Sequence, residues 1–131
     1  MTGLDTNVLV RYIMQDDPKQ SAMATRLIEA LTPQAPGFVP QVVVVELLWV
    51  LAGCYDLTRA QLGQAVHTLL RSKTLVVDRA DQVAQALKSF LGGSADFADG
   101  LIERCAAHAG CKETVTFDVG ASKTAGMVLI R

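Results

Sequence analysis

Apolar and polar positions divide the chain into short extended runs separated by longer stretches of helical period. "TGLDTNVLVRYI" opens with a very short apolar strand ending at Asp5, and Asn7 offers a side-chain oxygen to cap the helix that follows. "PKQSAMATRLIEAL" puts Pro18 at a helix start and spaces Ala22, Leu27, Ile28 and Leu31 along a helical face. "GFVP" reads as a short strand closed by Pro40. Residues 41–54, "QVVVVELLWVLAGC", are apolar apart from Gln41 and Glu46. Four consecutive valines favour a strand, but the run is longer than most strands and Gly53 suits a helix terminus, so the reading is a buried helix. "TRAQLGQAVHTLLR" (helix), "KTLVV" (strand) and "DRADQVAQALKSFL" (helix) follow, then a helix from about Ala95 to Ala109 that Gly110 stops. "ETVTFD" is a strand ending at Asp118, and "MVLI" a final strand.

Short strands alternating with helices imply right-handed crossovers and a mostly parallel sheet with helices on both faces, an α/β fold of one domain over residues 1–131. In such sheets, sites form outside the carboxyl ends of the strands, where strand order reverses. Asp5 and Asp118 both stand at expected carboxyl ends. Either alone reads equally well as a turn residue folding back on its own backbone. Both at one edge of one sheet would be a coincidence, and that is the first functional signal.

Two further stretches carry acids. In "ADFADGLIERCAAH", at about 100° per residue, Phe97, Leu101, Ile102, Cys105, Ala106 and Ala109 form the apolar arc. Asp99 falls at the edge of that arc and points to a crevice, while Asp96 and Glu103 lie further toward water. Glu46 has Val42, Val43, Trp49 and Val50 three and four residues away. It is either a rim carboxylate, one kept neutral by burial, or one aimed at a cation.

Composition narrows the picture. Half the chain is hydrophobic and 19% is charged, below the ~25% of an ordinary soluble domain. That balance suggests apolar surface covered by a second copy or a partner. With 12 Lys+Arg against 13 Asp+Glu, net charge does not attract nucleic acid, so any such binding needs a local basic rim. Cys54, Cys105 and Cys111 show no disulfide framework, and Cys105-x-x-His108-x-x-Cys111 lacks a fourth zinc ligand and spreads round a helix. The thiols read as buried or idle, in a reducing compartment. No leader and no uncharged apolar run of about eighteen residues is seen, so the expectation is a cytoplasmic protein without a membrane segment.

Carboxylates packed together repel, and a divalent cation relieves the repulsion. Oxygen ligands without a His or Cys cluster select Mg2+ or Mn2+ over zinc. An ion held this way keeps open positions for a phosphate and a water, which points to phosphodiester chemistry. No P-loop and no nucleophile elbow is present.

"GLDTNVLVRYI" with Asp5, "VVVVELLWVL" with Glu46, "ADFADGLI" with Asp99 and "TVTFD" with Asp118 resemble, in order and spacing, the PIN-domain family, and within it the VapC-type toxins of bacterial toxin–antitoxin pairs. The resemblance runs from the first residues to the last strand. It implies a three-layer α/β/α fold with a central mostly parallel sheet, and a Mg2+-dependent ribonuclease, commonly a homodimer silenced by a cognate antitoxin. By the same resemblance Asp5 and Asp99 match the metal-binding aspartates, and Glu46 and Asp118 the remaining acids of the quartet. Asp96 matches an extra acid, and Thr6, Asn7 and Thr116 match polar residues around the site. The mechanism expected is metal-assisted hydrolysis of RNA, with Asp118 and Asp96 on the ion directly or through waters and Glu46 on the attacking water. Arg11, Arg104 and Lys123 lie close enough in sequence to grip the RNA backbone, and are equally readable as surface charges. Two other readings stay open: a silent binding module of the same fold, and a phospho-accepting receiver or phosphatase-like domain using Asp5. Asn7, at the position where the latter would want a second acid, argues against it.

Overall fold

Side-chain caps set most helix starts in this chain. The computed structural model describes residues 1–131 as β1 (Thr2–Gly3), α1 (Thr6–Met14), α2 (Pro18–Glu29), β2 (Gly37–Val39), α3 (Gln41–Tyr55), α4 (Arg59–Arg71), β3 (Leu75–Val77), α5 (Ala80–Gly92), α6 (Phe97–His108), β4 (Val115–Thr116), α7 (Val119–Thr124) and β5 (Val128–Leu129). Asp5, Asp17, Thr58, Asp96 and Asp118 each accept a backbone N–H at the start of α1, α2, α4, α6 and α7, and Thr58 with Gln61 completes a capping box. Internal packing divides the chain into two compact units, residues 1–78 and 79–131.

In the first unit β1, β2 and β3 pair side by side in parallel, Thr2 against Gly37 and Gly37 against Leu75. Gly37 is required by space: a Cβ there would stand 2.9 Å from side-chain carbons of Leu31 and Leu4. Leu9, Val39, Val44, Leu47, Leu51 and Val66 are essentially withdrawn from solvent and form the core between this sheet and its helices. Residues 41–54 lie within α3, as their length suggested, but the helix is not buried all round. Val43, Val44, Leu47, Leu48 and Leu51 face the core while Val42, Glu46 and Trp49 form an exposed stripe. A helix with apolar residues on every face shows no polar side by which sequence could tell inside from outside.

In the second unit β4 and β5 pair in parallel, Val115 against Val128 and Thr116 against Leu129. Val83, Ala86, Leu87 and Phe90 of α5 meet Phe97 and Leu101 of α6, with Phe90 and Phe97 edge to face at 6.2 Å. Ile102, placed on the apolar arc by periodicity, is exposed, and the buried side of α6 is Phe97, Gly100 and Leu101. All pairing is parallel, as the alternation of elements implied, but it falls into a three-stranded and a two-stranded ladder. Asp5 follows the first strand of one and Asp118 the first strand of the other. No helix is long and apolar enough to cross a membrane.

Candidate acidic site

Asp5 is the N-cap of α1 and accepts the Thr6 backbone N–H at 2.8 Å, the role sequence had given to Asn7, which instead sits exposed inside the helix. The backbone bond uses Oδ1 of Asp5 and leaves Oδ2 for another partner. Thr6 is buried, and its Oγ1 donates to Glu46 Oε1 at 2.8 Å, joining the start of α1 to the exposed stripe of α3. Glu46 is therefore not buried. It is an exposed carboxylate held in place at one oxygen.

The second unit carries three acids. Asp96 is not a helical residue as periodicity had it: it caps α6, accepting the Asp99 N–H through Oδ2 at 3.1 Å. Asp99 occupies the first turn of α6, where the helix dipole favours a negative charge. Burial raises the pKa of its carboxyl above the usual range, and the charges of Asp96 and then Asp118 add to the rise. Asp118 caps α7, accepting the Ala121 N–H at 3.1 Å, while Thr116 Oγ1 accepts the Asp118 N–H at 3.0 Å. Sequence reading placed no helix after Asp118. Its signal is an Asp three residues before Ala121, obscured by Gly120 in a run of only six helical residues.

The cations are less available than their sequence positions suggested. Arg11 donates to Asp16 and to the Tyr55 hydroxyl through Nη1 and to Gln20 through Nε, within a network that Tyr55 closes by donating to Asp16. That donation is the main cause of an Asp16 pKa below the ordinary carboxylate range. Arg104 makes a two-pronged pair with Glu103 at 2.6 Å on both arms, so Glu103 serves its neighbour. Lys123 lies exposed in the last turn of α7. None of the three cysteines is in a disulfide; Cys54 and Cys111 are exposed and Cys105 is half-buried, donating to Gln82.

A PIN domain model matches residues 4–127, a span that includes every acid described above. The chain belongs to the PIN domain family. This PIN domain is also 27% identical, over 117 residues, to a VapC ribonuclease of Aquifex aeolicus (strain VF5), covering 89% of this chain and 87% of that protein. No solved structure matches it significantly.

The donor set fits a hard divalent cation. The acids described offer carboxylate oxygens, the hard donors such an ion takes, and the charges of Asp96 and Asp118 add to the rise in the Asp99 pKa, a repulsion that a cation would cancel. Neither unit alone closes three His, Cys, Asp or Glu side chains into a ready-made cage. Within each unit the capping aspartates keep one oxygen clear of the backbone, which suits an ion held by few protein ligands and several waters.

Proposed function

We propose that this PIN domain is a divalent-metal-dependent ribonuclease that hydrolyses RNA phosphodiester bonds as the toxin of a toxin–antitoxin pair. The carrying observation is the family match over residues 4–127, which takes in Asp5, Glu46, Asp96, Asp99 and Asp118. The likeness to a VapC ribonuclease supplies the substrate class. In this reading Asp5 and Asp99 hold Mg2+ or Mn2+, with Asp118 and Asp96 as direct or water-mediated ligands. When bound, the ion supplies Lewis-acid stabilisation of the phosphate and a more acidic water.

The remaining work falls to the chain's own groups. Thr6 occupies Glu46 Oε1, which leaves Oε2 to accept a proton from the attacking water as its oxygen bonds to phosphorus. The leaving sugar oxygen takes up a proton from solvent as its bond to phosphorus breaks. Asp5, Asp96 and Asp118 are each fixed by a helix terminus, so their free oxygens need little reordering to meet an ion. Lys123, exposed and in no ion pair while Arg11 and Arg104 each pair with an acid, is the cation left to meet the RNA backbone. A homodimer, an antitoxin partner and a cytoplasmic setting complete the reading.

The test is cleavage of a mixed RNA by wild type and Asp99→Asn with Mg2+ or Mn2+, with and without chelator. Chelator-sensitive cleavage by wild type alone is expected; equal cleavage by both proteins, or none by wild type, overturns the proposal.

A further inference from the structure

Gly120 follows the capping Asp118 inside α7, at a position where nothing in the backbone asks for glycine. It is exposed, and its φ is not in the left-handed region that Gly110 and Gly126 occupy. A glycine inside a helix costs stability relative to alanine, and α7 has only six residues over which to absorb that cost. What glycine supplies here is space. A Cβ at position 120 would stand 3.1 Å from Oδ1 of Asp118, so one of the two would have to give by a few tenths of an ångström. Both are held: Oδ1 accepts the Ala121 N–H at 3.1 Å, and the Gly120 carbonyl accepts the Thr124 hydroxyl at 2.8 Å. Other helical glycines lack such a contact. A Cβ at Gly53 or Gly92 would meet nothing within 4 Å, and one at Gly100 would make ordinary contact with Ala86 at 3.9 Å.

The two oxygens of a carboxylate are joined rigidly through one carbon. A push on Oδ1 therefore swings Oδ2, the oxygen that the α7 cap leaves off the backbone. Mg2+ takes its oxygen ligands at about 2.0–2.1 Å in near-octahedral geometry, so a ligand displaced by a few tenths of an ångström is a poorer one. We propose that Gly120 is a positioning residue for the metal: by withholding a side chain beside Oδ1 it sets the aim of Asp118, and the chain accepts a weaker α7 for it. Gly120 has no side chain to offer ion or RNA and acts through Asp118. This inference rests on the ribonuclease reading, in which Asp118 serves the metal directly or through water.

The test is Gly120→Ala in the full chain, with Gly53→Ala as the control for adding a methyl group to a helix in open space. Mn2+ binding is titrated by calorimetry, and thermal melts are taken in chelator. Gly120→Ala should raise Kd for Mn2+ about tenfold, the size of loss usual when a group supporting a metal ligand is disturbed. In chelator it should melt no lower than wild type, because alanine favours the helix. Its RNA cleavage should fall at limiting Mn2+ and return as Mn2+ is raised. Gly53→Ala should leave Kd unchanged. An unchanged Kd for Gly120→Ala, or an equal rise in both variants, while wild type binds Mn2+ and cleaves RNA, overturns the aiming role and leaves the ribonuclease standing. A Gly120→Ala protein that melts lower in chelator gives the glycine to the folding of α7, and also overturns the proposal. Absence of Mn2+ binding or of RNA cleavage by wild type overturns both readings.

Discussion

Thr6 Oγ1 donates to Glu46 Oε1 across 2.8 Å, forty residues apart in sequence, and fixes an exposed carboxylate from a buried hydroxyl. Thr6→Val keeps the shape and deletes the donor. Stability should fall by about 1 kcal/mol, the usual net worth of such a bond. RNA cleavage should lose about tenfold in kcat with KM nearly unchanged, because Glu46 is misaligned while binding is untouched. Thr6→Ser should restore kcat. Steady-state kinetics on the three proteins decides it.

Asp5 caps α1 and, in the proposed function, also holds the metal, and substitution separates the two. Asn caps a helix about as well as Asp, so Asp5→Asn should leave the melting temperature near wild type while abolishing metal-dependent cleavage. Asp5→Ala should lose both, with a stability cost of ~1 kcal/mol from the missing cap. Thermal melts beside cleavage assays separate the two effects.

Asp99 should make the metal-free protein less stable as it ionises. Its folded pKa is raised, first by burial and then by Asp96 and Asp118. Its favourable contribution is therefore complete below the ordinary Asp pKa and is lost as pH rises through the raised folded value. In chelator, Asp99→Asn should melt higher than wild type at neutral pH, with the gap closing on acidification. Added Mn2+ should raise the wild-type melting temperature saturably and leave the variant unmoved.

Arg11 should act on stability more than on RNA. Its guanidinium is engaged by Asp16, Tyr55 and Gln20, and the Tyr55 hydroxyl bond lowers the Asp16 pKa. The Asp16 contribution is present above the ordinary Asp pKa and lost as pH falls through the lowered folded value. Tyr55→Phe should therefore lower the melting temperature at neutral pH and matter less in acid. Combined with Asp16→Asn it should add little, since both remove one network. RNA affinity measured by anisotropy should not change.

Periodicity and punctuation made the order of elements legible, because Pro18, Gly110 and the strand-forming "GFV" and "LVV" act locally. The acids were legible as a set, through their places after short strands and at a helix start. What sequence misjudged was facing. Glu46 was left open between the rim and burial because its helical neighbours are valines and a tryptophan; Val42 and Trp49 face solvent beside it, which puts it at the rim. Ile102 was drawn to the core by its hydropathy but is exposed, while Gly100, too small to weigh in any pattern, is buried. Asp96 was placed inside the helix and Asp118 at a strand end or turn, because a cap differs from either only by a backbone bond three residues away.

The capping aspartates change what a surviving carboxylate means. A descendant that abandoned catalysis would still need Asp5, Asp96 and Asp118, or a close substitute, to start α1, α6 and α7. Their persistence in a relative therefore testifies to foldability as much as to chemistry. Glu46 and Asp99 start no helix, and drift at those two positions would be the earlier mark of an enzyme fallen silent.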